Sequence, residues 1–437
     1  MDSLHRAINR GIQRYLYDPE PANDTPHEPI ACLGQIYHSS APAPASSNET
    51  GLTERSQTIP WPRGFLNDVE ARLWFTYRSG FPKIPKNIGQ AQASPSEFGS
   101  STFRSMAGRI SQDGFTADTG FGCMVRSAQT LLANALLTLH LSRSWRRGDD
   151  VQGESRILRL FADDERAPFS IHRFMEHGAA ACDKPAGQWF GPQAASQCIK
   201  ALNQNQRSSQ LAVYLADEQG GSIYAEEVLK LAHASAADQD GEFDLVPDPD
   251  PPFKPVLILV PSRLGHDKIN PRYHSTLLSL FSLEQFAGIA GGRPASAHYF
   301  FAKQGQAVFF LDPHFPRPAL PFIGENAVYS QEERDSAHTR RVRRMDLSEI
   351  DPSMLIGFLI RDLAAWQQFR QHLQVAEVLA EIAYFANTAS QEEHKSSSSW
   401  KSYWKWQAGP AAPVITRKQS IHELHRIVLS GCWHQSG

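Results

Sequence analysis

The order of its periodic segments predicts an α+β fold for this 437-residue chain. In the first half, Met124/Val125, Ala128, Leu131/Leu132, Ala135/Leu136 and Leu139 recur at helical spacing. In the second half, short β-branched and aromatic runs replace that period: Val256–Val260, Ala297–Ala302, Gln306–Leu311 and Met354–Ile360. Two of these runs flank Gln304-Gly305 and read as a hairpin, so the late sheet is expected to be mainly antiparallel. Helices segregated from such a sheet define the class.

Taken in order, residues 1–27 are polar and read as a flexible tail. Residues 38–60 are a Ser/Pro/Ala stretch with too few large apolar groups to offset the entropy of ordering, and disordered inserts are also expected near 82–113, 235–252 and 321–340. After the helix at 124–139, Pro192 stands where a first helical residue should, with Ala195, Ile199 and Leu202 on one face. Leu211–Leu215 reads as a strand. The last strand is followed by a helix with Leu363, Trp366, Phe369, Leu373, Ala376 and Leu379 along its apolar stripe. Ser420-Ile-His-Glu423 has the capping-box pattern of a short helix ending at Gly431. The expected organisation is one main domain, 28–372, followed by a partly flexible extension, 373–437.

Composition narrows the function classes. A net charge of −3 supplies no basic field for nucleic acid. The longest apolar runs, Val256–Val260 and Met354–Ile360, fall far short of the ~20 residues that cross a bilayer. Met1–Arg6 lacks the layout of a secretory signal. Five dispersed cysteines, an odd number, make a poor disulfide framework and suit a reducing compartment. A soluble, cytoplasmic monomer is expected.

One constellation carries chemistry. In Asp118-Thr-Gly-Phe-Gly-Cys123-Met-Val-Arg126, two glycines permit close backbone approach and a cysteine opens a helix. Unpaired N–H groups and the positive end of the helix dipole stabilise a thiolate there, against a free-thiol pKa of about 8.5. The competing reading is a small buried residue at a tight packing point. A base must come from elsewhere. Leu311-Asp-Pro-His314 offers one: if the strand continues, Asp312 and His314 share a face, and the carboxylate can orient the imidazole. The alternative is a solvated Asp-Pro turn. His298 is a rival. The expected hairpin register pairs it roughly with Leu311 and turns it away from the Asp312/His314 face, although a one-residue slip would reverse that.

These residues resemble a known family, the autophagins, which are autophagy cysteine proteases of the papain-like superfamily. The likeness is carried by Leu73–Arg78 (LWFTYR), Asp118–Arg126 (DTGFGCMVR), Gly187–Pro192 (GQWFGP), Val260–Gly265 (VPSRLG), Gly291–Phe300 (GGRPASAHYF), Leu311–His314 (LDPH) and Ile350–Ser353 (IDPS). The motifs run in one linear order from about residue 30 to about 370.

The resemblance implies a papain-like α+β fold, with a helical part carrying the nucleophile packed on the sheet and a small inserted subdomain. It implies a cofactor-free cysteine endopeptidase that trims a ubiquitin-like autophagy modifier after a glycine and releases it from phosphatidylethanolamine. Such an enzyme is also expected in the nucleus and at the forming autophagosome, touching membranes through its substrate. By the same resemblance Cys123 is the nucleophile, His314 the general base and acid, Asp312 its orienting partner, and Tyr77 an oxyanion donor beside the Cys123 N–H. Trp189 resembles the lid over the substrate glycine, and Arg293, Pro294, Ala295 and Ser296 the gating loop. Read alone, Trp189 and Tyr77 would be ordinary core residues. Two departures stand out: Phe121 replaces the more usual tryptophan, and the stretch Phe81–Asp113 is longer than expected. The competing classes are a binder of the modifier that does not cut it, and a protease of a different ubiquitin-like protein.

Three further features are weighed here. Phe243-Asp-Leu-Val246, with acidic residues before it, has the form of a strand-adding peptide but reads more simply as an inert loop. Trp400-Lys-Ser-Tyr-Trp-Lys-Trp406 could lie at a membrane interface, and is expected instead to dock the tail on the catalytic domain. Cys182 and Cys198, with His172 and His177 nearby, invite a zinc reading, but no cysteine pair is close in sequence and Cys198 lies on the apolar side of its helix. No metal is expected there, and oxidation of these thiols stays open.

Overall fold

Val, Ile, Leu and Phe dominate the strands of the second half, and these strands close into a mixed sheet around one long buried helix. The computed structural model describes residues 21–39, 59–86, 114–206, 209–216, 223–233, 253–293 and 296–375. Up to the first parallel pair, the elements are β1 (Ile30–Cys32), β2 (Gln35–Tyr37), α1 (Arg63–Ala71), β3 (Arg78–Pro85), β4 (Gly114–Ala117), α2 (Cys123–Leu141), α3 (Val151–Arg159), α4 (Ile171–Ala181), α5 (Pro192–Gln204), β5 (Ala212–Leu215), α6 (Ala225–His233) and β6 (Val256–Arg263). There follow α7 (His274–Leu280), β7 (Phe286–Arg293), β8 (Ser296–Gln304), β9 (Ala307–Leu311), β10 (Arg317–Pro318), α8 (Gln331–Asp335), β11 (Arg344–Asp346), β12 (Ser353–Ile360) and α9 (Leu363–Val375).

The main sheet runs β11-β9-β8-β7-β12-β6-β5, with β1 and β2 added at the turn end of β8. Its pairs are antiparallel except β5 with β6. A second, three-stranded sheet, β10-β3-β4, lies off it. Helix α2 packs across β7, β8 and β12. At Gly357 of β12 a β-carbon would stand 2.9 Å from Leu131 Cδ2.

Every residue of α2 from Cys123 to Leu137 is buried, so its polar stripe does not face water. Thr130 and Asn134 hold the extended segment 73–76 instead. Thr130 Oγ1 accepts from Phe75 N–H at 3.1 Å, Asn134 Oδ1 accepts from Leu73 N–H at 3.1 Å, and Asn134 Nδ2 donates to Leu73 O at 2.9 Å. These bonds satisfy backbone groups that no sheet reaches.

Several expectations need correction. Residues 321–340 are not a disordered insert. Tyr329 is buried, with its hydroxyl on Pro321 O at 2.7 Å, and His338 Nε2 meets Glu154 Oε1 at 3.0 Å. Ser330 and Glu333 form a capping box for α8 between those anchors. Residues 82–85 likewise belong to β3, not to an insert. Strand β7 escaped the reading because three glycines interrupt its apolar pattern, Phe-Ala-Gly-Ile-Ala-Gly-Gly-Arg. Leu363 is 44% exposed, since it opens α9 ahead of the buried turn carrying Trp366 and Phe369. The segments containing Phe243–Val246, Leu379, Trp400–Trp406 and Ser420–Glu423, the insert residues 40–58, 87–113 and 235–252, and the terminal segments 1–20 and 376–437 lie outside the described residues. Among the described residues no helix is long and apolar enough to cross a membrane.

Candidate active site

Cys123 is the first residue of α2, capped by Gly122, and only 5% exposed. The loop before it is built on Asp118. Its carbonyl accepts from Phe121 N–H and Gly122 N–H at 3.2 and 2.9 Å, and its carboxylate accepts from Arg78 N–H and Arg126 Nε at 2.6 Å each. Arg126, fully buried, also meets Asp163 Oδ1 at 2.8 Å and Gln129 Oε1 at 3.1 Å. Burial alone would lower the Arg126 pKa; Asp118 and Asp163 outweigh this and hold the guanidinium firmly charged.

The glycine before the cysteine is a steric requirement. A β-carbon on Gly122 would stand 2.4 Å from Asp118 Oδ2, and that carboxylate is fixed from both sides. Gly122→Ala is therefore expected to cost about 1–3 kcal/mol of stability. By shifting Cys123, it should also lower turnover by about 10²-fold, read from urea unfolding and initial rates.

The segment after β9 brings the second half of the site. Asp312 Oδ1 lies 2.6 Å from His314 Nδ1 and also accepts from His314 N–H at 3.0 Å. That leaves Nε2 free to face the Cys123 thiol, with which the imidazole interacts electrostatically, and Ser296 Oγ stands 3.4 Å from the same nitrogen. The segment is pinned from its neighbours. Trp74 Nε1 donates to Asp312 O at 2.8 Å, Tyr77 N–H to Pro313 O at 2.8 Å, and Arg317 N–H to Tyr77 O at 2.9 Å. Tyr77 also stacks its ring edge-on against His314, centroids 5.3 Å apart, and its hydroxyl reaches Cys123.

The electrostatics follow from these contacts. Burial would push the Cys123 thiol up; hydrogen bonds from His314, the Ala297 N–H and Tyr77 outweigh it and bring the thiol below its ordinary value. Burial would lower His314, but its bonds to Asp312 and Cys123 raise it to about 9. Burial would raise Asp312, and its bond to His314 instead holds it below the usual carboxylate value. Burial, then Cys123, pushes the Tyr77 hydroxyl up, so it stays a donor.

Not every expected residue stands where its sequence suggested. His298 does not turn away. β8 carries a bulge between Phe300 and Ala302, so Tyr299 rather than His298 pairs with Leu311, and His298 shares the Asp312/His314 face. Its Nε2 lies 3.8 Å from Asp312 Oδ1, and its ring stands 5.3 Å from that of His314. Burial lowers His298 to about 4, so it stays neutral. Trp189, 45% exposed, is no core residue; its Nε1 donates to Gly120 O at 2.5 Å, two residues from the Gly122 cap. Arg293, at the end of β7, pairs with Glu349, while Pro294 and Ala295 lie outside the described residues.

Sequence reasoning missed Trp74, Ala297 and Asp163. Trp74 and Ala297 sit inside motifs already singled out, whereas Asp163 gives no local signal.

The comparisons agree with this geometry. Residues 62–372 match the Peptidase C54 catalytic domain. A protein of Botryotinia fuckeliana named probable cysteine protease atg4 is 42% identical, over 82% of this chain and 86% of its own length. One of the same name from Aspergillus clavatus is 43% identical, over 85% and 92%. The cysteine protease atg4 of Emericella nidulans is 42% identical, over 86% and 90%. This chain belongs to the Peptidase C54 family and is a cysteine protease.

Proposed function

We propose that this protease cleaves a ubiquitin-like autophagy modifier after its C-terminal glycine, both to mature the precursor and to free the modifier from phosphatidylethanolamine, with Cys123 as nucleophile. The observation that carries the reading is Cys123 at a helix start, beside a His314 that Asp312 orients at 2.6 Å, close to an exposed indole tied to the loop before it. The thiolate attacks the glycine carbonyl. The oxyanion is held by the Cys123 N–H and the Tyr77 hydroxyl, a type of donor worth roughly 3–4 kcal/mol when removed. His314 gives its proton to the leaving amine, which departs as the acyl-enzyme forms. It then takes a proton from water, whose attack on the thioester releases the glycine carboxyl group and restores the thiolate beside a protonated His314. A tail ending in glycine needs a slot too narrow for side chains, and Trp189 is suited to form one wall. A cytoplasmic setting, where free thiols persist, belongs to the same proposal.

The test uses the modifier in two forms, one with extra residues after the glycine and one ending in a glycine-linked electrophile. Expected are a product ending at that glycine and an adduct mapped by mass spectrometry to Cys123. Binding without cleavage or adduct would favour the non-cutting reading. Equal cleavage of an unrelated ubiquitin-like protein would remove the substrate assignment. Trp189→Ala, at an exposed site, should change stability by less than about 0.5 kcal/mol. It should nonetheless lower kcat/KM by roughly 10–100-fold and narrow the preference for glycine over alanine at the cleaved position, measured with a matched substrate pair.

A further inference from the structure

We propose that His177, Cys182 and Cys198 form a binding site for a zinc-class divalent cation, spanning the loop that carries Trp189. The sequence offers no cysteine pair close along the chain, and on that ground no metal is expected. The helical hairpin α4–α5 nevertheless brings the candidates together: His177 lies in the last turns of α4, Cys182 caps its C-terminus, and Cys198 lies midway along α5. One ligand atom from each comes within 4.8 Å of the others. His172, the other candidate, goes elsewhere, its Nε2 2.6 Å from Pro82 O.

The donor set fits the cation. Zinc takes thiolate at about 2.3 Å and imidazole at about 2.0–2.1 Å in a tetrahedron, which asks for ligand atoms roughly 3.5–3.8 Å apart. Small side-chain rotations close that gap. Two thiolates and one imidazole leave a fourth position for water or for Gln197, whose Oε1 is 3.3 Å from Cys182 Sγ. His177 and Cys182 stand at the carbonyl end of an 11-residue helix, where the dipole favours positive charge. Binding exchanges two thiol protons for one M²⁺ and releases both protons to solvent, so affinity rises with pH. Because Cys182 precedes and Cys198 follows residues 183–191, a bound cation would tie the two ends of the Trp189 loop together.

The test uses the full chain carrying Cys123→Ser, which removes the reactive thiol as a competing ligand, reduced and stripped with a chelator. Titration with Co²⁺ should produce near-ultraviolet thiolate-to-metal absorption and intense visible bands of a four-coordinate site at one equivalent, bleached by Zn²⁺. Zn²⁺ should also raise the Tm by several degrees. Cys182→Ala and His177→Ala, both at partly exposed positions, should each weaken Co²⁺ at least tenfold and abolish the Zn²⁺ shift; Cys198→Ala should do the same if it folds. The proposal is overturned if no thiolate absorption appears, or if the bands survive Cys182→Ala, as they would for an ion on His298, Asp312 and His314. It is equally overturned if His177→Ala changes nothing. A reduced chain that ignores Co²⁺, but yields a Cys182–Cys198 disulfide with an added peroxide, would make the pair a redox couple instead.

Discussion

Alanine at His314 is expected to lower turnover of a glycine-tailed substrate by about 10⁴–10⁶-fold, the scale lost when the base is removed from a hydrolytic triad. Alanine at His298 should cost no more than about tenfold. Both histidines approach Asp312, but His314 does so at 2.6 Å and also bonds Cys123, whereas the His298 ring lies 3.8 Å from the carboxylate, edge-on to Phe310. His298, lowered to about 4 by burial, also has no proton to give at neutral pH. The pH profile separates the roles. Alkylation of Cys123 needs only thiolate, so its rate should rise with pH through the lowered thiol pKa and then level off. On the proposed mechanism cleavage also needs the His314 proton for the leaving amine, so kcat/KM should fall again as pH passes about 9. The same raised pKa makes the ion pair a source of stability that is complete below the unfolded histidine value, near 6.5, and lost through about 9. In His314→Ala the thiol loses its strongest helper, so the alkylation limb should move to higher pH. If His298→Ala showed the large loss and the moved limb, the assignment of the base would be reversed.

Much of this site could be read from the chain because its chemistry is local. Gly122 before Cys123 at a helix start, and Asp312 two residues from His314, are contiguous patterns whose geometry follows from helix and strand periodicity. His298 was misdirected because register is a long-range property. A single extra residue in β8 moves the ring to the other side, and nothing in Tyr299-Phe-Phe-Ala302 announces a bulge. The polar stripe of α2 shows a similar limit. Thr130 and Asn134 fall outside its apolar spacing, and their partners, the backbone of segment 73–76, lie more than 50 residues away in sequence. The Cys182–Cys198 approach was hidden for a related reason, since a 16-residue separation becomes proximity only once two helices fold back on each other.

Arg126→Leu is expected to destabilise the fold by about 3–5 kcal/mol, a fifth or more of the 5–15 kcal/mol typical of a domain. The arginine itself is close to leucine in the space its stem occupies, so the loss does not come from packing. It comes from Asp118 and Asp163, carboxylates buried in the structure and left without their cation. Lysine keeps the charge but reaches one carboxylate at a time, whereas the guanidinium meets Asp118 Oδ2 at 2.6 Å, Asp163 Oδ1 at 2.8 Å and Gln129 Oε1 at 3.1 Å together. Arg126→Lys should therefore recover only part of the stability, seen as an intermediate midpoint in urea unfolding. The network also fixes the loop that aims Cys123, because Asp118 holds Gly122 N–H and Arg78 N–H, the latter one residue beyond Tyr77. Fully folded Arg126→Lys, assayed at low temperature, should then show lower kcat with little change in KM. Full stability with unchanged kcat would mean that the buried ion pairs neither hold the fold nor position the cysteine. In that case the steric argument at Gly122 would have to stand without a rigid Asp118 behind it.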